Sequence, residues 1–383
     1  MNMQPITDKE REEALGDALS IIRRNIPRYT DHCQNHSSVR HWYPQCENDQ
    51  WTTGFWPGEL WLSWELTHDD AFRICGERFV DSFDTRIRER IAVDNHDMGF
   101  LYTPSCVAPY LLTGNEKAKE AAILAARQLA SRFQKVGRFI QAWGPMGQRE
   151  NYRYIIDCLL NLPLLYWATD TTGEGMFREI AIAHTQTCIA HSFRPDHSTY
   201  HTFFMDPITG KGVRGETCQG YRADSSWARG QAWAVYGLAL SYKYSRDPSL
   251  LVLFDGVADY FLSRLPQDMI PYWDLIFQNG NEPRDSSAAS IVACGLLEMA
   301  SLRAERQESY TLEAKRLVGS LVRSYRVRKG DDANGLVYHG TYSKKSPYNS
   351  CTEEGVDECV SWGDYFYLEA LMRLENPSWR EYW

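Results

Sequence analysis

The chain has 383 residues, 43% of them hydrophobic and 13% aromatic, and a formal net charge of −9. That is apolar material enough for one large core or two ordinary ones, and the acidic balance argues against nucleic acid as a partner. No run approaches a membrane span, the polar N-terminus lacks a signal-peptide core, and ten cysteines without a CxxC pair indicate neither a zinc site nor a disulfide framework. A cytoplasmic protein, a monomer or weak homo-oligomer, is expected.

Helical periodicity dominates. Helices are predicted near residues 8–25, 54–67, 70–90, 97–113, 116–135, 153–169, 173–191, 226–245, 248–264, 285–304, 307–326 and 362–375, with strand-like alternation confined to pieces such as Tyr200–Met205 and Gly335–His339. The helices alternate in kind. Apolar, aromatic ones (FWPGELWLSWEL, IIDCLLNLPLLYW, SSAASIVACGLLEMA) follow or precede amphipathic ones such as EKAKEAAILAARQLASRF. Short turns (Thr67-His-Asp, Thr113-Gly-Asn, Thr169-Asp-Thr-Thr-Gly, Ser245-Arg-Asp-Pro) join each apolar helix to its amphipathic partner, while the return connections run longer and carry Trp, His, Gly and Pro. This weak repeat predicts stacked hairpins closing into an all-α, (α/α)6 barrel, a single domain over residues 1–383. Apolar helices form its inner ring and the long loops gather at one rim. An open α-solenoid is the alternative, but its inner face is not normally so aromatic.

The carboxylate of Asp157 lies in the most apolar stretch, Tyr154-Ile-Ile-Asp-Cys-Leu-Leu-Asn-Leu-Pro-Leu-Leu-Tyr-Trp167. Inside a buried helix, desolvation raises its pKa and makes it a proton donor; the structural alternative is a buried Asp satisfied by a cap or a tryptophan N–H. Asp97, in Asp94-Asn-His-Asp-Met-Gly-Phe, stands where an inner helix begins, so it is a helix cap by default and a cavity carboxylate by position. Trp51, Trp143, His201 and Gln219 occupy the equivalent loops, and Arg229 and Trp233 share a face of the fourth inner helix. An arginine there needs an acidic partner, either a protein carboxylate or that of a ligand.

TGFWPGELWL, HDMGFLY, IQAWGPMG, IIDCLLNLPLLYWA, YHTFFMDP, WARGQAWAVYG, DSSAASIVACGLLEMA and WGDYFYLEALMRL, in order from about residue 10 to 375, resemble the unsaturated glucuronyl hydrolases of glycoside hydrolase family 88. The resemblance implies an (α/α)6 barrel and a substrate ending in a 4,5-unsaturated uronic acid, the product of a polysaccharide lyase, with glycosaminoglycan fragments favoured. It makes Asp157 the general acid/base and Asp97 a second essential carboxylate, either kept ionised to stabilise a cation or orienting sugar hydroxyls. It carries Trp143, His201, Gln219, Arg229 and Trp233 into the substrate pocket, sets His96, Met98 and Trp51 beside the sugar, adds Tyr342, and pairs Arg229 with the sugar carboxylate. No metal or organic cofactor is implied. Ser343-Lys-Lys-Ser-Pro-Tyr348 keeps both serines of a Ser-x-x-Ser-x-Lys pattern tied in the family to sulfated substrates, with Tyr in place of the lysine and Lys344 and Lys345 between the serines instead, so either sulfated or unsulfated sugars remain open. The rivals are an unsaturated rhamnogalacturonyl hydrolase acting on pectin fragments, a sugar 2-epimerase using two cavity histidines, and a non-enzymatic helical-repeat scaffold, which predicts no ligand-sized aromatic cavity.

Overall fold

The computed structural model describes residues 4–383. Its helices are α1 (Asp8–Asn25), α2 (Phe55–Thr67), α3 (Asp70–Arg88), α4 (Met98–Tyr102), α5 (Ala108–Thr113), α6 (Glu116–Ser131), α7 (Pro163–Thr172), α8 (Gly175–His191), α9 (Ala228–Ser245), α10 (Ser249–Ser263), α11 (Ser286–Leu302), α12 (Gln307–Ser320) and α13 (Ser361–Glu375). Outer α3, α6, α8, α10, α12 and α1 each pack on an inner neighbour: α2, the α4–α5 segment, α7, α9, α11 and α13. The inner elements touch in sequence, and α13 returns to α2, closing the (α/α)6 barrel.

Burial separates the two rings as the composition requires. Almost every residue of α9, α11 and α13 is buried, whereas α3 and α6 bury one stripe. The short inner-to-outer turns work through left-handed residues at the inner helix ends: His68 (φ 55°), Gly114 (φ 72°), Gly173 (φ 78°) and Arg246 (φ 57°). Each donates its backbone N–H to a carbonyl of the last helical turn, which stops the helix and reverses the chain.

Four predicted elements differ. The 307–326 helix gives way after Ser320 to a π-helical turn, Leu321–Tyr325. The 97–113 helix is interrupted by a π-helical turn at Thr103–Val107, where Pro104 and Pro109 each remove a helical donor. Segment 335–339 forms no strand; Val337 gives its N–H to the Asp364 carboxylate and His339 turns the chain at φ 65°. The strand begins one residue later. The largest change is at 153–169, where a strand, Arg153–Ile155, runs into a 3-10 turn, Ile156–Leu160, and α7 starts only at Pro163. Adjacent β-branched Ile155 and Ile156 suit extended backbone, and Pro163 is accepted only in a helix's first turn.

Small sheets fill the loops. β1 (Cys33–Gln34) pairs with β2 (Gln45–Cys46), and β3 (Phe133–Gln134) with β4 (Phe139–Ile140). Strands β5 (Arg153–Ile155), β6 (Thr202–Met205) and β7 (Gly212–Glu216) form an antiparallel sheet, and β8 (Gly340–Ser343) pairs with β9 (Glu354–Glu358) as a hairpin.

Candidate active site

At the rim where the inner helices begin lies a cavity of about 360 Å³. Its wall includes Trp51, His96, Asp97, Trp143, Asp157, His201, Gln219 and Tyr342, contributed by the loops before α2, α4, α7 and α9 and by β8. Eight of the eleven residues singled out in the sequence thus meet around one space.

The two carboxylates are brought together by Gly99 and Asn161. A Cβ on Gly99 would lie 2.4 Å from the Asn161 Cα, so only glycine lets the start of α4 press against the bend after Asp157. The Asn161 amide then locks the contact: its Oδ1 accepts from the Phe100 N–H at 2.9 Å, and its Nδ2 donates to the Asp157 carbonyl at 3.4 Å. Asp97 occupies the cap position of α4 yet makes no capping bond, so its carboxylate is left to the cavity, with Oδ1 3.4 Å from His96 Nε2. Asp157 Oδ1 has no hydrogen-bond partner among the described residues. Neither carboxylate is consumed by the structural role a helix start offers.

Burial pushes Asp157 up to about 7, against the opposing charge of Arg229. It pushes Asp97 up to about 8, aided by the negative charge of Asp157 and opposed by Arg86 and Arg132. The expectation that Asp97 stays ionised is therefore corrected: without a ligand, the pair gives up its protons only near and above neutrality. Unfolded Asp titrates near ~3.9. Between about pH 4 and 8 the folded chain holds protons the unfolded chain has released, so these groups cost stability as pH rises through that window. Asp97→Asn should accordingly melt higher than wild type at pH 8, with the difference shrinking towards pH 4. A difference that ignores pH would show that the carboxyl is not raised.

The histidines are fixed as neutral donors and acceptors. Burial, with nearby positive charge, brings His201 down to about 3, and likewise His96. His201 Nδ1 accepts the N–H groups of Cys218 and Gln219 at 3.0 and 3.3 Å, so its proton resides on Nε2. Trp51 stacks on Trp362 (centroids 5.1 Å apart) and donates to the Tyr342 hydroxyl at 3.4 Å, giving a flat aromatic wall.

Met98, Arg229 and Trp233 do not reach the wall; they lie behind it, 0%, 1% and 0% exposed. Trp233 packs on Phe100 and Phe366, and Arg229 corrects the assignment made from the sequence. Its Nη1 pairs with Asp285 at 3.0 Å and donates to the Thr341 carbonyl, its Nη2 donates to the Tyr342 carbonyl at 2.6 Å, and Trp227 and Trp362 cover its faces. Both terminal nitrogens are taken by protein while Nε is buried without a partner among the described residues, so Arg229 supports β8 and lends its charge to Asp157. Arg229→Met should cost about 3–5 kcal/mol, the scale for orphaning one partner of a buried pair, and a melting curve reads it directly.

The lining also holds Ser343, from the serine pattern noted in the sequence, and Ile155, Cys218, Cys351, Thr352 and Glu354, which sequence reasoning passed over. Glu354 is held at 3.0 Å by His36, whose ring packs 4.5 Å from Tyr342. Both serines of the Ser343–Tyr348 stretch donate to backbone carbonyls, and Lys344 is paired with Glu353 at 2.6 Å.

The Glycosyl Hydrolase Family 88 model matches residues 22–349. The unsaturated chondroitin disaccharide hydrolase of Streptococcus agalactiae serotype III (strain NEM316) is 43% identical over 387 aligned residues, covering 100% of this chain and 96% of that protein. The unsaturated glucuronyl hydrolase of Bacillus sp. (strain GL1) is 42% identical over 372, covering 95% of this chain and 97% of that one. The crystal structure of unsaturated glucuronyl hydrolase from Streptococcus agalactiae superposes with a TM-score of 0.95 at 43% identity, covering 100% of this chain and 96% of the other. Barrel, rim cavity and full-length likeness agree: the chain belongs to glycosyl hydrolase family 88.

Proposed function

We propose that the chain is an unsaturated glucuronyl hydrolase, acting on lyase-generated glycosaminoglycan oligosaccharides that end in a 4,5-unsaturated uronic acid. One observation carries the reading: a partnerless carboxyl, Asp157, raised to about 7, shares an aromatic cavity with a second raised carboxyl. The terminal ring is a vinyl ether. Asp157 gives its proton to C4, an oxocarbenium-like cation forms at C5, and water adds there while returning a proton to Asp157. The hemiketal opens, and the rest of the glycan is released without attack at C1. Asp97 orients sugar hydroxyls in its neutral form; His201 Nε2–H donates, and Trp51 and Trp143 hold the ring. Arg229 keeps Asp157 from rising further.

The cavity is the ligand-sized aromatic space that a repeat scaffold lacks. Histidines that stay neutral down to about pH 3 are poor bases for an epimerase. Near the leaving ring, the hairpin wall offers the Glu354 carboxylate, Lys344 is taken by Glu353, and Lys345, bonded only to the Asn349 carbonyl, lies outside the lining, which favours an unsulfated sugar there. Loss of double-bond absorbance over a panel of sulfated and unsulfated unsaturated glycosaminoglycan disaccharides and pectin disaccharides tests the reading. Unsulfated glycosaminoglycan disaccharides should turn over fastest; preference for the pectin substrate would transfer the chain to the rhamnogalacturonyl activity. Among the described residues no helix is long and apolar enough to cross a membrane, and all ten cysteines are free thiols, which supports action in the cytoplasm.

A further inference from the structure

The sheet β5–β6–β7 has two unlike faces. Tyr154 and Phe203 point one way, into the core. The other face carries, in register, the row Ile155–Thr202–Glu216 and, two residues along each strand, the row Arg153–Phe204–Arg214. Ile155 lines the cavity, so this face begins at the cavity wall, and the arginine row lies roughly 6.5–7 Å beyond it.

That second row continues the cavity's aromatic wall. The Arg153 guanidinium lies 4.6 Å from the ring of Trp143 and 5.2 Å from that of Phe204, and Arg214 covers Phe204 from the far side at 4.2 Å. Trp143, Arg153, Phe204 and Arg214 form a stack in which aromatic ring and cation alternate. Phe204 is outside the core cluster yet only 7% exposed, because the two arginines cover it.

The charges in this stack are not equivalent. Arg214 is paired with Glu216, and nearby Arg149 with Asp206 at 3.1 Å. Arg153 has no carboxylate partner among the described residues, and its Nε is buried without a hydrogen bond. The Glu216 carboxylate on the same face acts on Arg153 from beyond ion-pair distance and is taken by Arg214, so this half-buried guanidinium, stacked between rings, has no anion in hydrogen-bond reach and has lost hydration that a ligand carboxylate restores.

We propose that Arg153, seated between Trp143 and Phe204, binds the carboxylate of the next uronic acid in an unsaturated oligosaccharide longer than a disaccharide. The leaving sugar occupies the cavity mouth, and the third ring lies on the sheet face. Arg214 is the outer rung of the same subsite. The proposal rests on the activity proposed above and extends it to chain length.

The experiment compares unsulfated unsaturated disaccharide with the corresponding tetrasaccharide, whose third ring is a uronate. In Arg153→Gln the ratio of kcat/KM for tetrasaccharide to that for disaccharide should fall about tenfold, the scale of a lost charge-assisted hydrogen bond. The loss should reside in KM, Arg153→Lys should restore part of it, and Arg214→Gln should reproduce a smaller share. Added salt should raise the wild-type KM for tetrasaccharide, and much less so in Arg153→Gln. Equal losses on both substrates would reduce Arg153 to a support for Trp143 and overturn the subsite. No turnover of either substrate by wild type would instead overturn the proposed activity.

Discussion

Asp157→Asn should leave a folded protein whose turnover is at least a hundredfold lower. The amide keeps the shape of the carboxyl, and Asp157 Oδ1 has no hydrogen bond to lose. The bend that carries it is held through its backbone carbonyl by Asn161, which the substitution does not touch. Folding should improve at neutral pH, because a carboxyl raised to about 7 is an unfavourable charge above that pH. What disappears is the proton donor, and positioned acid catalysis contributes about 10²–10⁴-fold. Retention of more than about a tenth of the activity, a loss under ~1.4 kcal/mol, would remove Asp157 from the role. The pH profile supplies an independent check. Wild-type kcat/KM should decline on the alkaline side near pH 7, where the acid loses its proton, and that limb should persist in Asp97→Asn. Asp97 owes part of its rise to the charge of Asp157, so Asp157→Asn should lower the pKa of Asp97 below about 8.

The parts of this site legible in the sequence are those set by local rules. Alternating apolar and amphipathic helices, with left-handed or glycine turns after the inner ones, expose the barrel, and the barrel in turn says which loops face the rim. Trp51, Asp97, Trp143 and His201 follow from that placement. Asp157 was found for a partly mistaken reason: the buried helix assigned to it is a strand and a 3-10 turn, and this bend is what brings the carboxyl into the cavity. Arg229 was misassigned because its partner Asp285 lies 56 residues away, so no spacing pattern links them. Glu354 and Arg153 escaped for the same kind of reason. Their significance comes from hairpin and sheet register, which tertiary contacts decide and helical periodicity does not report.

Saturated glucuronides should be inert, and the product from an unsaturated substrate should carry solvent deuterium at C4 when the reaction runs in heavy water. An ordinary glycosidase needs one carboxyl protonated and the other ionised at working pH, and environments that separate them. Here burial raises both carboxyls to about 7 and about 8, and among the described residues no buried cation is hydrogen-bonded to either one to keep it charged. Such a pair is poor at supplying a nucleophile to C1 near neutrality and well suited to delivering a proton. A vinyl ether accepts that proton at C4, making the cation that water captures; a saturated ring has no atom there to accept it. Because the donor is fixed on a rigid bend, deuterium should arrive on one face only. Proton transfer to carbon is slow, so a clear solvent isotope effect on kcat should accompany it. Ready hydrolysis of a saturated aryl glucuronide, or product lacking deuterium at C4, would assign the two carboxyls to direct displacement at C1 instead. The two outcomes are separated by the position of one hydrogen atom.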